Sequence, residues 1–230
     1  MLHALDETDV LFNQTVNSIK IGKDGVQVRS EKTYESDSVV LAVPPKLWAK
    51  NIVFEPHLPA DLMSTAIQTQ TWMEDSIKIA LTYEQAFWEL ENIPSTLFSN
   101  SGPITEFYDH SDHEGSKYAL CGFINSSLKN LTPVERRQKV IKQLKKIFGA
   151  KAKAFTNYEE CIWSKENNTF ETSDTFLYPH QNNGNPIFRE SYLDDKLFIS
   201  SSEAASQFAG YMEGAVSSAY RIVERILKDK

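Results

Sequence analysis

The sequence predicts a mixed α+β fold, on three observations. Apolar stretches of strand length recur between glycine- and proline-rich breaks, as at Val26-Gln27-Val28 and Ile77 to Leu81. Two longer stretches, near 133–148 and 211–227, repeat their apolar residues at helical spacing. Of 230 residues, 41% are hydrophobic and 24% charged, enough apolar material for a sizeable core and far from a disordered composition.

Residues 16–21 and 26–30 read as a hairpin whose turn is Gly22-Lys23-Asp24-Gly25. Ser38 to Val43 is continuously apolar after its serine, as a strand buried on both faces would be, and Pro44-Pro45 stops it. Pro56 and Pro59 make 51–59 an extended connector, and 60–70 has the spacing of a short helix with Leu62, Ala66 and Ile67 on one side. Ser76 to Tyr83 alternates, placing Ile77, Ile79 and Leu81 on one face and Lys78 on the other. The stretch 92–118 reads as loops and short strands. Thr132-Pro133-Val134-Glu135 is a capping box with proline at the first helical position, followed by the stripe Val140, Ile141, Leu144, Ile147, Phe148 and a terminating Gly149. After a polar loop at 167–186 comes a short buried strand, Leu197 to Ser200. A final helix follows Ala209-Gly210 and carries Ala215, Val216, Ala219, Ile222, Val223, Ile226 and Leu227.

Several function classes are excluded or disfavoured. The chain has nine glycines, below the usual share of about 7%, and none of them spells G-x-G-x-x-G or G-x-x-x-x-G-K-[ST]. A recognisable cradle of backbone N–H groups for a dinucleotide or triphosphate is therefore missing. No apolar run is long enough to cross a bilayer, and Met1 to Glu7 lacks the pattern of a secretory signal, so a cytoplasmic protein is expected. Cys121 and Cys161 make neither a disulfide framework nor a zinc pattern. A net charge of −7 argues against nonspecific nucleic-acid binding. Without a signal peptide, the four N-x-[ST] sites at Asn13, Asn125, Asn130 and Asn167 read as coincidences.

Three local features bear on chemistry. Asp109-His110-Ser111-Asp112-His113-Glu114 could offer metal ligands, but an irregular i,i+3 pair fixes no geometry, so a solvated loop and no metal are expected. The basic face of 135–146 reads as a solvated helix surface. Lys78 is a lone charge among apolar neighbours, either on a solvent face or lining a cleft. The strongest unit is the last one: a buried strand runs into Ser200-Ser201-Ser202-Glu203, and Gly210-Tyr211-Met212-Glu213-Gly214 then opens a helix. Small residues allow close backbone approach, and a helix N-terminus offers N–H groups to an anionic ligand.

At these residues the chain resembles the C-terminal half of a flavin-containing amine oxidase of the monoamine-oxidase type. Four segments match in the family's order: Asp37 to Pro45 with Ile52 to Pro59; Ser76-Ile77-Lys78 with Tyr83 and Phe87-Trp88; Trp163; and Ile199 to Glu203 with Gly210 to Val216. The resemblance implies FAD, held non-covalently, and oxidation of a small-molecule amine by hydride transfer to the flavin. It implies that Lys78 holds a water near the flavin and that Tyr211 forms one wall of an aromatic cage. The backbone of Met212 would face the pyrimidine edge of the ring, and Glu203 with Ser201 and Ser202 would contact the ribityl–pyrophosphate region. Val16 would approach adenine, and Trp163 and Gly210 would line the cofactor.

Departures from the family pattern are specific. Ser201-Ser202 stands where the family has a Gly-Thr pair, and no cysteine lies between Trp163 and Leu197 for covalent attachment. The second cage residue stays open among Phe170, Phe176 and Tyr178. The family's dinucleotide loop is missing, so the resemblance implies only part of an oxidase, completed by a separate N-terminal half or another copy of the chain. The expected organisation is therefore a remnant of FAD-binding-domain strands at 1–58 and a mixed-sheet substrate domain with packed helices at 59–190. The flavin motif and C-terminal helix would occupy 191–230. A non-catalytic module that binds a partner is the alternative reading, and a flavin oxidase acting on a C–C bond is an enzyme rival.

Overall fold

A computed structural model describes residues 9–90, 93–94 and 96–228. The signal-peptide reading of Met1 to Glu7 lies outside them. The strands are β1 (Ser18–Gly22), β2 (Gly25–Arg29), β3 (Thr33–Ser36), β4 (Val39–Leu41), β5 (Val53–Glu55), β6 (Ile77–Tyr83), β7 (Thr96–Phe98), β8 (Ile104–Asp109), β9 (Tyr118–Ile124), β10 (Asn157–Ile162) and β11 (Leu197–Ile199). The helices are α1 (Pro45–Asn51), α2 (Ala60–Ile67), α3 (Phe87–Leu90), α4 (Pro133–Phe148) and α5 (Met212–Lys228). Strands and helices alternate irregularly, and the α+β class holds. No helix among the described residues is long and apolar enough to cross a membrane.

The chain divides into two compact units, one made of 1–72 with 171–230 and the other of 73–170. These limits differ from 58 and 190 for a physical reason. Leu62 and Ala66 of α2 join the core built around Trp48 and Phe54. The loop at 181–182 also hydrogen-bonds back to α2, through Gln181 and Asn182 side chains donating to the Gln68 carbonyl at 3.1 Å each.

In the first unit a four-stranded sheet runs in the order β3-β2-β1-β5. The hairpin forms as the glycines require: Ile19 faces Val28 and Ile21 faces Val26, and Gly25 sits at φ 144°. β5 adds in parallel to β1, although the sequence reads as an extended connector there. Helix α1 is also unforeseen. Its two prolines look like breakers, but Pro44 occupies the N-cap and Pro45 the first turn, where no N–H is needed. Among the described residues β4 pairs in parallel with β11 alone, Val39 with Leu197 and Leu41 with Ile199. The expectation of a strand buried on both faces fails here: Leu41 is buried, but Val40 is 39% exposed on the open face of a two-stranded sheet.

The second unit is a five-stranded sheet, β10-β6-β9-β8-β7, antiparallel throughout. Ile77, Ile79 and Leu81 point into one core with Trp88, Phe107 and the α4 stripe Val140, Leu144 and Phe148. The capping box forms as the sequence predicts, with Thr132 and Glu135 bonding reciprocally. Asp109 and Asp112 of the His-rich loop are engaged locally: Trp88 Nε1 donates to Asp109, and Ser116 and Lys117 donate to Asp112. Among the described residues no cluster of His, Cys, Asp and Glu is arranged to hold a metal.

Candidate functional site

In the first unit, the β11–turn–α5 segment gathers six of the predicted site residues. Leu197 to Ile199 are fully buried, and the strand hands over to a 3-10 turn at Ser202–Ala204. Ser200 N–H donates to the Leu41 carbonyl at 2.9 Å, which extends the parallel pairing one residue further. Gly210 N–H donates to the Ser202 carbonyl at 3.1 Å, closing the loop between the turn and the helix. Gly184 N–H donates to the Glu203 carbonyl at 2.7 Å and fixes the turn from the other side.

This segment buries polar atoms without satisfying them. Glu203 is 2% and Ser201 3% exposed, yet among the described residues Glu203 Oε2 and Ser201 Oγ have no hydrogen-bond partner. Nearby in the same unit, Asn183 Oδ1 and Arg221 Nε are also unpartnered, although Arg221 donates through another nitrogen to the Ile199 carbonyl at 2.8 Å. Burial is the main influence lowering the Arg221 pKa from its ordinary value, with Arg189 and Arg225 adding to it. Unsatisfied buried polar atoms are costly, so Ser201 Oγ and Glu203 Oε2, two residues apart on one turn, leave room for another polar group to satisfy them.

Tyr211 stands at the mouth of this segment, 47% exposed. Its ring neighbours are Trp72, at 5.7 Å between centroids, and His180, at 6.0 Å with nearly parallel planes. Trp72 and His180 stack directly at 4.2 Å and 17°. The arrangement depends on two backbone features. His180 adopts φ 61°, and its N–H donates to Gln70 Oε1 at 3.0 Å. Gly210, at φ 85°, leaves room where a Cβ would come within 3.0 Å of Asn183 Nδ2 and 3.2 Å of the Trp72 Cβ. The sequence reading missed both Trp72 and His180. No local pattern could have found them, because they lie 108 residues apart and meet only through the fold. Phe176 and Tyr178, two of the candidates for a second aromatic wall, pack against each other and are exposed.

Met212 opens α5 and is exposed, and Val16 lies half-buried against the first unit's core, just before β1. Lys78 and Trp163 belong to the second unit. Lys78 sits on the face of β6 opposite the core, with Phe123 across from it on β9 and Cys161 on β10. Its ammonium lies over the Phe123 ring at 5.8 Å. Trp163 follows the end of β10 and donates its N–H to the Ser76 carbonyl at 3.1 Å, two residues from Lys78. Pairing with both neighbours thus fixes Lys78 at a defined position in the sheet.

The chain was also compared with known proteins. The family described as flavin containing amine oxidoreductase matches residues 1–227. A probable flavin-containing monoamine oxidase A of Dictyostelium discoideum is 28% identical over 238 aligned residues, covering 98% of this chain and 50% of that protein. Flavin-containing amine oxidase B of Homo sapiens is 29% identical over 210 residues, covering 88% of this chain and 39% of that protein. The chain therefore spans at most half the length of these relatives. Among solved structures, a putrescine oxidase redesigned for cofactor binding is similar at a TM-score of 0.81 and 25% identity, over 99% of this chain and 51% of the other. Cyclohexylamine oxidase from Brevibacterium oxydans shares the fold at a TM-score of 0.79 and 23% identity, over 94% and 49%.

Proposed function

Because the chain belongs to the flavin containing amine oxidoreductase family, whose cofactor is FAD, we propose that it supplies the substrate-facing and flavin-closing parts of an amine oxidase. The observation that carries this reading is the β11–turn–α5 segment, where Glu203 Oε2 and Ser201 Oγ are buried without partners. A carboxylate oxygen and a serine hydroxyl fit the ribityl hydroxyls and phosphate side of FAD, which bring the donors and acceptors this turn lacks. Bound there, the flavin supplies a two-electron acceptor for the hydride of an amine carbon. Ser201, Ser202 and Glu203 hold its ribityl–pyrophosphate side, and Gly210 keeps the approach open. The Met212 backbone, at the start of a helix, would offer the flavin a positive dipole end, which favours the reduced, more negative form. From the family's pattern we also assign Val16 and Trp163, each within its own unit, to cofactor contacts.

On the substrate side, Tyr211 presents a ring face to the amine, and Trp72 and His180 hold that ring in place. Lys78 orients a water through its ammonium, from a strand position fixed on both sides. A partner segment completes the site. Parallel strands are ordinarily covered on both faces, and here Val40 of β4 and Val216, Val223 and Leu227 of α5 remain exposed. We place the family's dinucleotide-binding half against them.

The test is to purify the chain with and without a dinucleotide-binding half from a relative and record visible absorbance after adding FAD. The complemented protein is expected to turn yellow and produce peroxide only with an amine present. Lys78→Met is then expected to lower peroxide production by about 10²-fold while the yellow colour stays. A complemented protein that stays colourless overturns the reading, and so does a yellow protein in which Lys78→Met leaves amine oxidation unchanged.

A further inference from the structure

The second unit carries a cleft that plays no part in the proposed chemistry. It has a volume of about 580 Å³ and lies between α4 and the loops at 101–103 and 125–128. That is within the size range of small-molecule sites. Its walls are cross-linked by hydrogen bonds. Gln143 is buried on α4, accepts the Ile104 N–H at 2.8 Å and donates to the Ser101 and Ile104 carbonyls at 2.8 Å each. Gly102, at φ 95°, is the residue this contact demands, since a Cβ there would lie 2.5 Å from Gln143 Cδ. On the far wall, Asn125 N–H donates to the Pro103 carbonyl at 2.8 Å, and the Asn125 side chain caps the turn at Ser126–Leu128.

The chemistry of the lining is one-sided. Lys139, Lys142 and Lys146 of α4 line the cleft, and among the described residues no carboxylate does. At helical spacing these three fall within an arc of about 60°, so their ammoniums share one stripe. Lys139 also feels Glu135 one turn earlier, but that carboxylate is already committed to the Thr132 cap. Lys142 and Lys146 stand one turn apart with like charge, an arrangement that weakens a helix. The whole chain carries a net charge of −7, so this is a local reversal of sign. Leu128 and Ile147 add apolar surface beside the lysines.

We propose that this cleft binds a small phosphomonoester, with Lys142 and Lys146 taking the phosphate and Leu128 with Ile147 taking an apolar group attached to it. Neither flavin nor amine is needed, so the inference stands apart from the oxidase reading.

The experiment titrates the full chain with phenyl phosphate and with inorganic phosphate by calorimetry at low salt. In a parallel arm, phosphatidylcholine vesicles with and without phosphatidic acid are used in a sedimentation assay. Phenyl phosphate is expected to bind more tightly than inorganic phosphate, and its affinity is expected to fall as salt rises. Lys142→Ala with Lys146→Ala is expected to reduce that affinity at least about 10-fold, while Lys145→Ala, on the same helix outside the cleft, leaves it unchanged. Lysine-dependent binding to the vesicles alone would assign the phosphate to a lipid headgroup, and binding to phenyl phosphate would assign it to a free ester. The proposal fails if neither probe binds, or if Lys145→Ala weakens binding as much as the double variant, which would mean diffuse attraction to a basic helix.

Discussion

Tyr192 shows how a single side chain reports the state of the fold. Its hydroxyl donates to the Ile187 carbonyl at 2.5 Å, and burial, followed by the nearby Asp61 and Glu190 charges, pushes its pKa up to about 12. The folded chain therefore keeps this proton at pH values where an unfolded tyrosine, near 10.0, has lost it. Its contribution to stability is complete below pH 10 and is lost as the pH rises toward 12. Urea midpoints measured between pH 9 and pH 12, a range of about three pH units set by those values, are expected to fall less steeply in Tyr192→Phe than in the unaltered chain. A slope that the substitution leaves unchanged would show that this phenol is not shifted. At the same scale, the sequence singles out Lys78, Ser201, Ser202, Glu203, Gly210, Tyr211 and Met212 as candidates because each lies in a compact motif. Trp72 and His180 were not legible, since their meaning lies in a contact made across 108 residues.

Among the elements, α4 was read most completely because its signals are local: a capping box, a proline at the first position, an apolar stripe and a glycine stop. β9 went unread for the opposite reason. It holds Gly122 in mid-strand, which looks like a breaker, yet a Cβ there would meet the Glu106 carbonyl oxygen at 2.7 Å, beside the register shift between Ile104 and Glu106. The glycine belongs to the sheet. α5 was recognised as a helix, but its apolar residues alone do not mark its inner face. Gly214, Ser218 and Ile222 are buried, while Val216, Val223 and Leu227 are not. Close approach selects small residues: a Cβ on Gly214 would lie 2.3 Å from the Phe208 carbonyl oxygen. The joint between α4 and β10 yields a prediction. Arg136 is buried and paired with Glu160, which also accepts the Tyr158 hydroxyl at 3.1 Å. Arg136→Met leaves Glu160 without its charge partner and is expected to cost about 3–5 kcal/mol in chemical denaturation. Arg136→Met with Glu160→Gln is expected to recover part of that loss, which two independent effects would not allow.

At the scale of the whole molecule, the exposed apolar face of α5 separates stability from completion. Val223 is 52% exposed, so Val223→Glu is expected to change the stability of this chain by no more than about 0.5 kcal/mol. The same change places a charge on the surface proposed for the dinucleotide-binding half and is expected to abolish recovery of visible flavin absorbance on complementation. If Val223→Glu were strongly destabilising in the isolated chain, the face would be internal, and the partner surface would have to lie elsewhere.

The sequence by itself determined the α+β class, the capped helix, the first hairpin and the flavin-motif segment that leads to the family. These rest on local periodicity, turn chemistry and compact motifs, which are written within a few residues of each other. Only the tertiary structure decided that residues 59–72 and 171–190 join the first unit, that Tyr211 is braced by Trp72 and His180, that Glu203 is buried without a partner among the described residues, and that three lysines share one cleft. Each of these depends on which distant surfaces meet, and contact between distant surfaces is set by packing, not by spacing along the chain.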